Sequence, residues 1–146
     1  MDCDSGVTAQ AIDDYLKKKG SKLSGKGATF ISSGRGQDVD PRLLVALAGA
    51  ETTFAAEITM GEFNAWNWLW NRKDPSNSAF TRWEHGIQSV ANGLRRLYLD
   101  LKLSDGKSIY EKYCDGPGCA HGLKNLESFL NELGADANNL EFPCKK

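Results

Sequence analysis

The stretch from Asp40 to Phe54, Asp-Pro-Arg-Leu-Leu-Val-Ala-Leu-Ala-Gly-Ala-Glu-Thr-Thr-Phe, constrains this chain more than any other. It predicts a helix with a marked start. Asp40 can accept hydrogen bonds from the free N–H groups of the first turn, and Pro41 follows at N1, where a missing N–H costs nothing. Leu43, Leu44, Leu47, Ala48 and Ala50 then recur at helical spacing. Glu51 is out of place among them. It stands four residues after Leu47 and seven after Leu44, so it projects from the side of both. A carboxylate beside an apolar helix face must be paired, wet in a cleft, or partly protonated. The last state is what a general acid needs near neutral pH. The competing expectation is a helix-end glutamate that reaches water or pairs with a Lys or Arg. Ala46, Ala48, Gly49 and Ala50 are small, which lets another backbone or a ligand approach closely.

Residues 55–80 are irregular and rich in aromatic rings. Phe63, Trp66, Trp68 and Trp70 recur with Asn64, Asn67 and Asn71 between and beside them. Even spacing puts Trp66, Trp68 and Trp70 on one side of an extended strand, which predicts a short β-hairpin. Core packing accounts for one or two of these rings. Flat aromatic faces interleaved with amides also suit a sugar chain, whose CH groups stack on rings while its hydroxyl and acetamido groups bond to amides. The segment 72–78 is turn-rich.

The remaining elements are expected to be helices. One spans Thr8 to about Lys19, with Ala11, Ile12, Tyr15 and Leu16 on one face and Gly20 as its stop. A short one carries Phe30 and Ile31 inward and ends around Gly34. Thr81-Arg82-Trp83-Glu84 matches a capping box and opens a stripe of Trp83, Ile87, Val90, Ala91, Leu94, Leu97 and Tyr98. Arg95, Arg96 and His85 fall off that stripe and are expected to be exposed. A short helix carries Ile109, Tyr110 and Tyr113. A last one, from about His121, carries Leu123, Leu126, Phe129, Leu130 and Leu133 and stops at Gly134. Together these elements predict a single, mainly helical α+β domain with one short hairpin.

With 146 residues, 40% hydrophobic and 25% charged, the chain suits one domain with a normal core. A net charge of -1 argues against a bulk attraction to nucleic acid, and no apolar run has the length of a membrane span. Met1-Asp2-Cys3-Asp4 is acidic and polar where an export leader would be basic and then apolar. The chain is therefore read as cytoplasmic, exported by other means, or a mature form with an added Met. Four cysteines bear on that choice. Cys114 and Cys119 bracket a turn-rich loop, and Cys3 and Cys144 stand near the two termini. Two disulfides, 114 to 119 and 3 to 144, and an oxidising compartment are the favoured reading. A metal cluster is weaker, because neither His85 nor His121 has zinc-finger spacing, and four free thiols stay open.

Val39 to Phe54 closely resembles the catalytic helix of lysozyme-like peptidoglycan hydrolases, nearest to their glucosaminidase-type group, with lytic transglycosylases and goose-type lysozymes as related branches. In those proteins the helix ends in Ala-x-Glu-Ser-x-Phe or a close variant; here Thr52 stands where Ser is usual. Leu23-Ser24-Gly25-Lys26-Gly27-Ala28-Thr29-Phe30 is similar to the family's Leu-x-Gly-x-Gly lead-in. Asn64-Ala65-Trp66-Asn67-Trp68 resembles its Asn-Ala-Phe/Trp-Gly-Trp segment, with Asn67 for the usual Gly. Phe80 to Ile87 resembles its Phe-x-x-Trp-x-x-Gly-Ile helix start, and Ile109 to Tyr113 the helix that brings a Tyr to the cleft. The resemblance covers roughly residues 8–133. It implies a lysozyme-like helical domain with a catalytic cleft and a hairpin on one wall.

It also implies cleavage of β-1,4 bonds in peptidoglycan or a related N-acetylhexosamine polymer, with Glu51 as general acid and no cofactor or metal. Thr52, Asn64, Trp66, Trp68 and Tyr113 would then orient Glu51 or line the sugar subsites. For a second carboxylate the candidates are Glu57, Glu62 and Asp74, with Glu62 preferred. The substrate's own 2-acetamido group can replace that partner. The expected setting is extracytoplasmic and the expected state a monomer. Two rival readings, a glycan-binding module and a cell-wall-penetrating assembly protein on the same fold, predict little or no turnover.

Overall fold

In the computed structural model, which describes residues 7–68, 80–114 and 116–142, six α-helices follow one another. They are α1 (Ala9–Lys18), α2 (Gly27–Gly36), α3 (Pro41–Thr52), α4 (Trp83–Leu97), α5 (Gly106–Tyr113) and α6 (Cys119–Glu132). A 3-10 turn at Leu99–Leu101 follows α4. The chain is mainly helical, and no helix among the described residues is long and apolar enough to cross a membrane.

α3 is the axis of this arrangement. Asp40 caps it through its carboxylate, which accepts from Arg42 N at 2.9 Å, and Pro41 occupies the first turn. Every residue from Pro41 to Gly49 is buried, because α2 and α6 both pack against the helix. One small position proves essential to that packing. A Cβ on Gly49 would sit 2.5 Å from Phe54 and 2.7 Å from Phe129, so the edge-to-face pair of those rings fits only against a bare backbone. α1 and α4 pack on α2, and α5 packs on α6. The close approach expected at the small residues is thus made by aromatic rings.

Arg42, in the first turn of α3, is buried as well. Its guanidinium lies across the Asp40 carboxylate, with Nε 2.9 Å from Oδ1 and a terminal nitrogen 2.8 Å from Oδ2. A second terminal nitrogen donates to the Gly134 carbonyl at 3.0 Å. The chain end closes over the same point. Asp40 N donates to Leu140 O, Phe142 N donates to Asp38 O, and Val39 forms a lone β-bridge with Glu141. Leu140 and Phe142 are core residues, so the core extends past the expected limit near residue 133.

Other expectations need correction. Residues 55–68 form turns and bends with no strand, and Asn67 is left-handed at φ 50, so Trp66 and Trp68 do not lie on one strand face. Positions 69–79, with Trp70 and Asp74, lie outside the described residues, as do Cys3 and Cys144. The capping box is not formed. α4 starts at Trp83, and Glu84 pairs with Lys26 at 2.9 Å. Thr81 N instead meets His85 Nδ1 at 3.2 Å, which gives that His a local role. Arg95 is not simply exposed either: it donates to the carbonyls of Gln37 and Asp38 and pairs with Asp100 and Glu141. Ala11 is exposed, and Leu97 is 40% exposed where the polypeptide leaves α4. Cys114 and Cys119 form the expected disulfide at the mouth of α6.

Candidate active site

Glu51 emerges in the last turn of α3, half-buried. The backbone then turns through three successive left-handed residues, none of them glycine: Thr53, Phe54 and Ala55, with φ of 53, 57 and 73. Each such residue costs roughly 1–2 kcal/mol, and runs of this kind persist only where the surroundings over-determine them. Here Phe54 N donates to Ala48 O at 3.1 Å, Ala55 N to Thr52 Oγ1 at 3.0 Å and Glu57 N to Thr52 O at 2.9 Å.

Thr52 is the centre of this lock and has no exposed surface. Its hydroxyl donates to Ala65 O at 2.7 Å, tying the 64–68 segment to the end of α3. It therefore positions Glu51 through the backbone and does not meet a sugar. Two further ties hold the same segment: Trp66 Nε1 donates to Leu44 O at 2.8 Å, and Asn67 Nδ2 donates to Glu51 O at 3.2 Å. Asn64 organises the segment from within. Its amide donates to Trp68 O at 3.0 Å and accepts from the backbone N–H groups of Trp66 and Trp68. Asn64 and Trp66 are fully buried, so as sugar contacts they are corrected: an indole inside the core has no face to offer. Thr52→Val keeps the volume but leaves Ala65 O and Ala55 N without their buried partner. It is expected to lower stability by about 1–3 kcal/mol in chemical denaturation.

Two side chains hold the Glu51 carboxylate. Tyr110, from α5, donates its hydroxyl to Oε2 at 2.8 Å, and Asn67 Nδ2 lies 3.5 Å from Oε1. Tyr110 reaches across α6 at Gly122, where a Cβ would stand 2.3 Å from the phenol oxygen. Burial pushes the Glu51 carboxyl above the ordinary glutamate range, and the bonds from Tyr110 and Asn67 oppose that shift without cancelling it. Burial and the neighbouring Glu51 charge push both Tyr110 and Tyr113 upward, so both stay protonated donors. The Tyr113 hydroxyl donates to Trp66 O, and its ring stacks on Tyr110 at 6.2 Å and 11°. Trp68, 6% exposed, packs 5.9 Å from Tyr113. Tyr113 and Trp68 thus share a wall with the residue that bonds Glu51. Glu62 is exposed on its turn, has no hydrogen bond to Glu51, and contributes nothing to its raised pKa.

No model of a known protein family matches the chain, and no curated protein does either. The chemistry of the site follows from its groups. A half-buried carboxyl whose pKa is raised by burial can give up a proton to a leaving oxygen. Tyr110 and Asn67 then stabilise the carboxylate that remains. Asn67 and Tyr110 are the contributors that the sequence pattern passed over. Asn67 adopts a left-handed backbone, a conformation that Asn tolerates better than most residues other than Gly.

The raised pKa has a consequence for stability. The folded state holds the Glu51 proton more tightly than the unfolded chain does. Its contribution is therefore complete below the unfolded glutamate pKa and is lost as pH rises through the folded value. Glu51→Gln removes this loss. Its melting temperature is expected to gain on the parent as pH is raised from the acid side of the ordinary glutamate range to neutrality. A constant difference across that window would place the Glu51 pKa at its ordinary value.

Proposed function

We propose that this chain is a glycoside hydrolase of the lysozyme-like kind, acting outside the cytoplasm as a monomer on peptidoglycan or a related N-acetylhexosamine polymer. Glu51 protonates the oxygen of a β-1,4 bond as it leaves. The observation that carries this reading is the Glu51 carboxyl itself. It stands at the end of a buried helix, is pushed toward its protonated form by burial, and is held on both oxygens by Tyr110 and Asn67. A structural ion pair would have the opposite electrostatics, and among the described residues no Lys or Arg bonds this carboxylate. The Cys114–Cys119 bridge is compatible with an oxidising compartment.

Burial, and no described carboxylate, raises the Glu51 pKa. This supports a route in which the substrate's 2-acetamido group attacks the anomeric carbon, with Glu62 outside the chemistry. Attack by water then completes hydrolysis, whereas attack by the sugar's own 6-hydroxyl leaves an anhydro end. The test is digestion of purified cell walls with the parent chain, products read by mass spectrometry. Soluble muropeptides are expected, and an anhydro end is lighter by one water. If nothing is released while the protein still sediments with the wall, the chain is a binding module and not a hydrolase.

A further inference from the structure

A cavity of about 550 Å³ lies against α4, and Glu51 takes no part in its lining. Trp68 and Phe80 form its apolar side, while Gln88, Ser89, Asn92 and Arg96 face it from α4. None of those four side chains makes a hydrogen bond or ion pair with the described residues, whereas Arg95, next to them, is fully engaged. His85, Ser89, Asn92 and Arg96 follow one another at about one per helical turn, so the stripe runs about 16 Å along the helix. A second hollow, about 210 Å³, continues the first: Gln37 and Gln88 line both. Ser33 lines this second hollow, and its buried Oγ has no partner.

We infer that these two hollows form one groove that binds an N-acetylated glycan strand away from Glu51. This deepens the hydrolase reading and rests on it for the substrate class. Its chemistry is that of a sugar site. Unpaired amides and hydroxyls offer donors and acceptors together, as glycan hydroxyl and acetamido groups require. Rings of Trp68 and Phe80 supply an apolar wall. Among the described residues the lining carries one guanidinium and no carboxylate, which suits a neutral or weakly anionic strand and not a basic peptide. The groove shares Trp68 with the wall at Tyr113. Such a second hold keeps the protein on an insoluble polymer between cuts, by raising the effective concentration of bonds near Glu51.

The experiment is a titration of the full Glu51→Gln chain with a β-1,4-linked N-acetylglucosamine tetramer, followed by backbone amide NMR. Shifts are expected at Ser89, Asn92 and Arg96, in addition to any at Asn67 and Tyr110. In a Gln88→Ala/Asn92→Ala background the α4 shifts are expected to need about tenfold more ligand. The same variant's melting temperature, close to that of its parent, checks that the fold is intact. Shifts confined to Asn67, Tyr110 and Tyr113 overturn the groove and leave the hydrolase reading in place. Absence of shifts anywhere also overturns it. Shifts along α4 in a protein whose parent chain releases nothing from cell walls uphold the groove and remove the hydrolase.

Discussion

Glu51→Gln is expected to slow the release of soluble cell-wall fragments by about 10²–10⁴-fold, the range for loss of a general acid, and to leave the fold intact. The amide is nearly isosteric with the carboxyl, and its oxygen can still accept from Tyr110, which lies 2.8 Å away. It has no acidic proton to give to a leaving sugar. Binding to the wall is therefore expected to survive while turnover is lost, so the defect should appear in kcat and not in KM. On the proposed mechanism the parent's own rate is expected to fall as pH rises through the elevated Glu51 pKa, since a general acid acts in its protonated form. A variant that digests walls as fast as the parent would make Glu51 a structural carboxyl and end the enzymatic reading.

The largest loss of stability is expected for Asp40→Ala. One carboxylate serves two purposes here: it caps α3 and lies under the Arg42 guanidinium, with both residues nearly excluded from water. Removing the acid leaves Arg42 in the core without its carboxylate, still bonded to Gly134 O. Losing one member of a buried pair costs about 3–5 kcal/mol, with the helix cap included in the same deletion. That is a large part of the 5–15 kcal/mol typical of a whole domain. Urea denaturation of the variant measures it. The paired replacement Asp40→Leu/Arg42→Met is expected to recover much of the loss, because it leaves no charge behind in the core. If Asp40→Ala costs under about 1 kcal/mol, the pair is not what holds the entrance of α3.

Much of the fold was readable from local pattern. The start of α3 at Asp40 and Pro41, the α4 stripe through Ile87, Val90 and Leu94, and the 114–119 bridge all depend on residues a few positions apart. The misreadings have a common cause. Trp66, Asn64 and Thr52 look like a sugar-binding surface in sequence because polar and aromatic residues alternate there. In the folded chain their polar atoms are consumed by backbone groups of α3 and of the segment itself. Arg95 reads as a surface charge for the same reason: the carbonyls that satisfy it come from a distant segment.

Local sequence alone is enough to specify a capped, apolar helix that ends in a carboxylate. N-capping, proline at N1 and helical spacing act within one or two turns and need no partner. That this carboxyl holds its proton more tightly than an ordinary glutamate comes from the tertiary structure alone. Tyr110 comes to it from 59 residues away and Asn67 from 16. The shift in its pKa arises from desolvation by everything packed around it. Desolvation is a property of what surrounds a group in space, and the order of residues along a chain does not carry it.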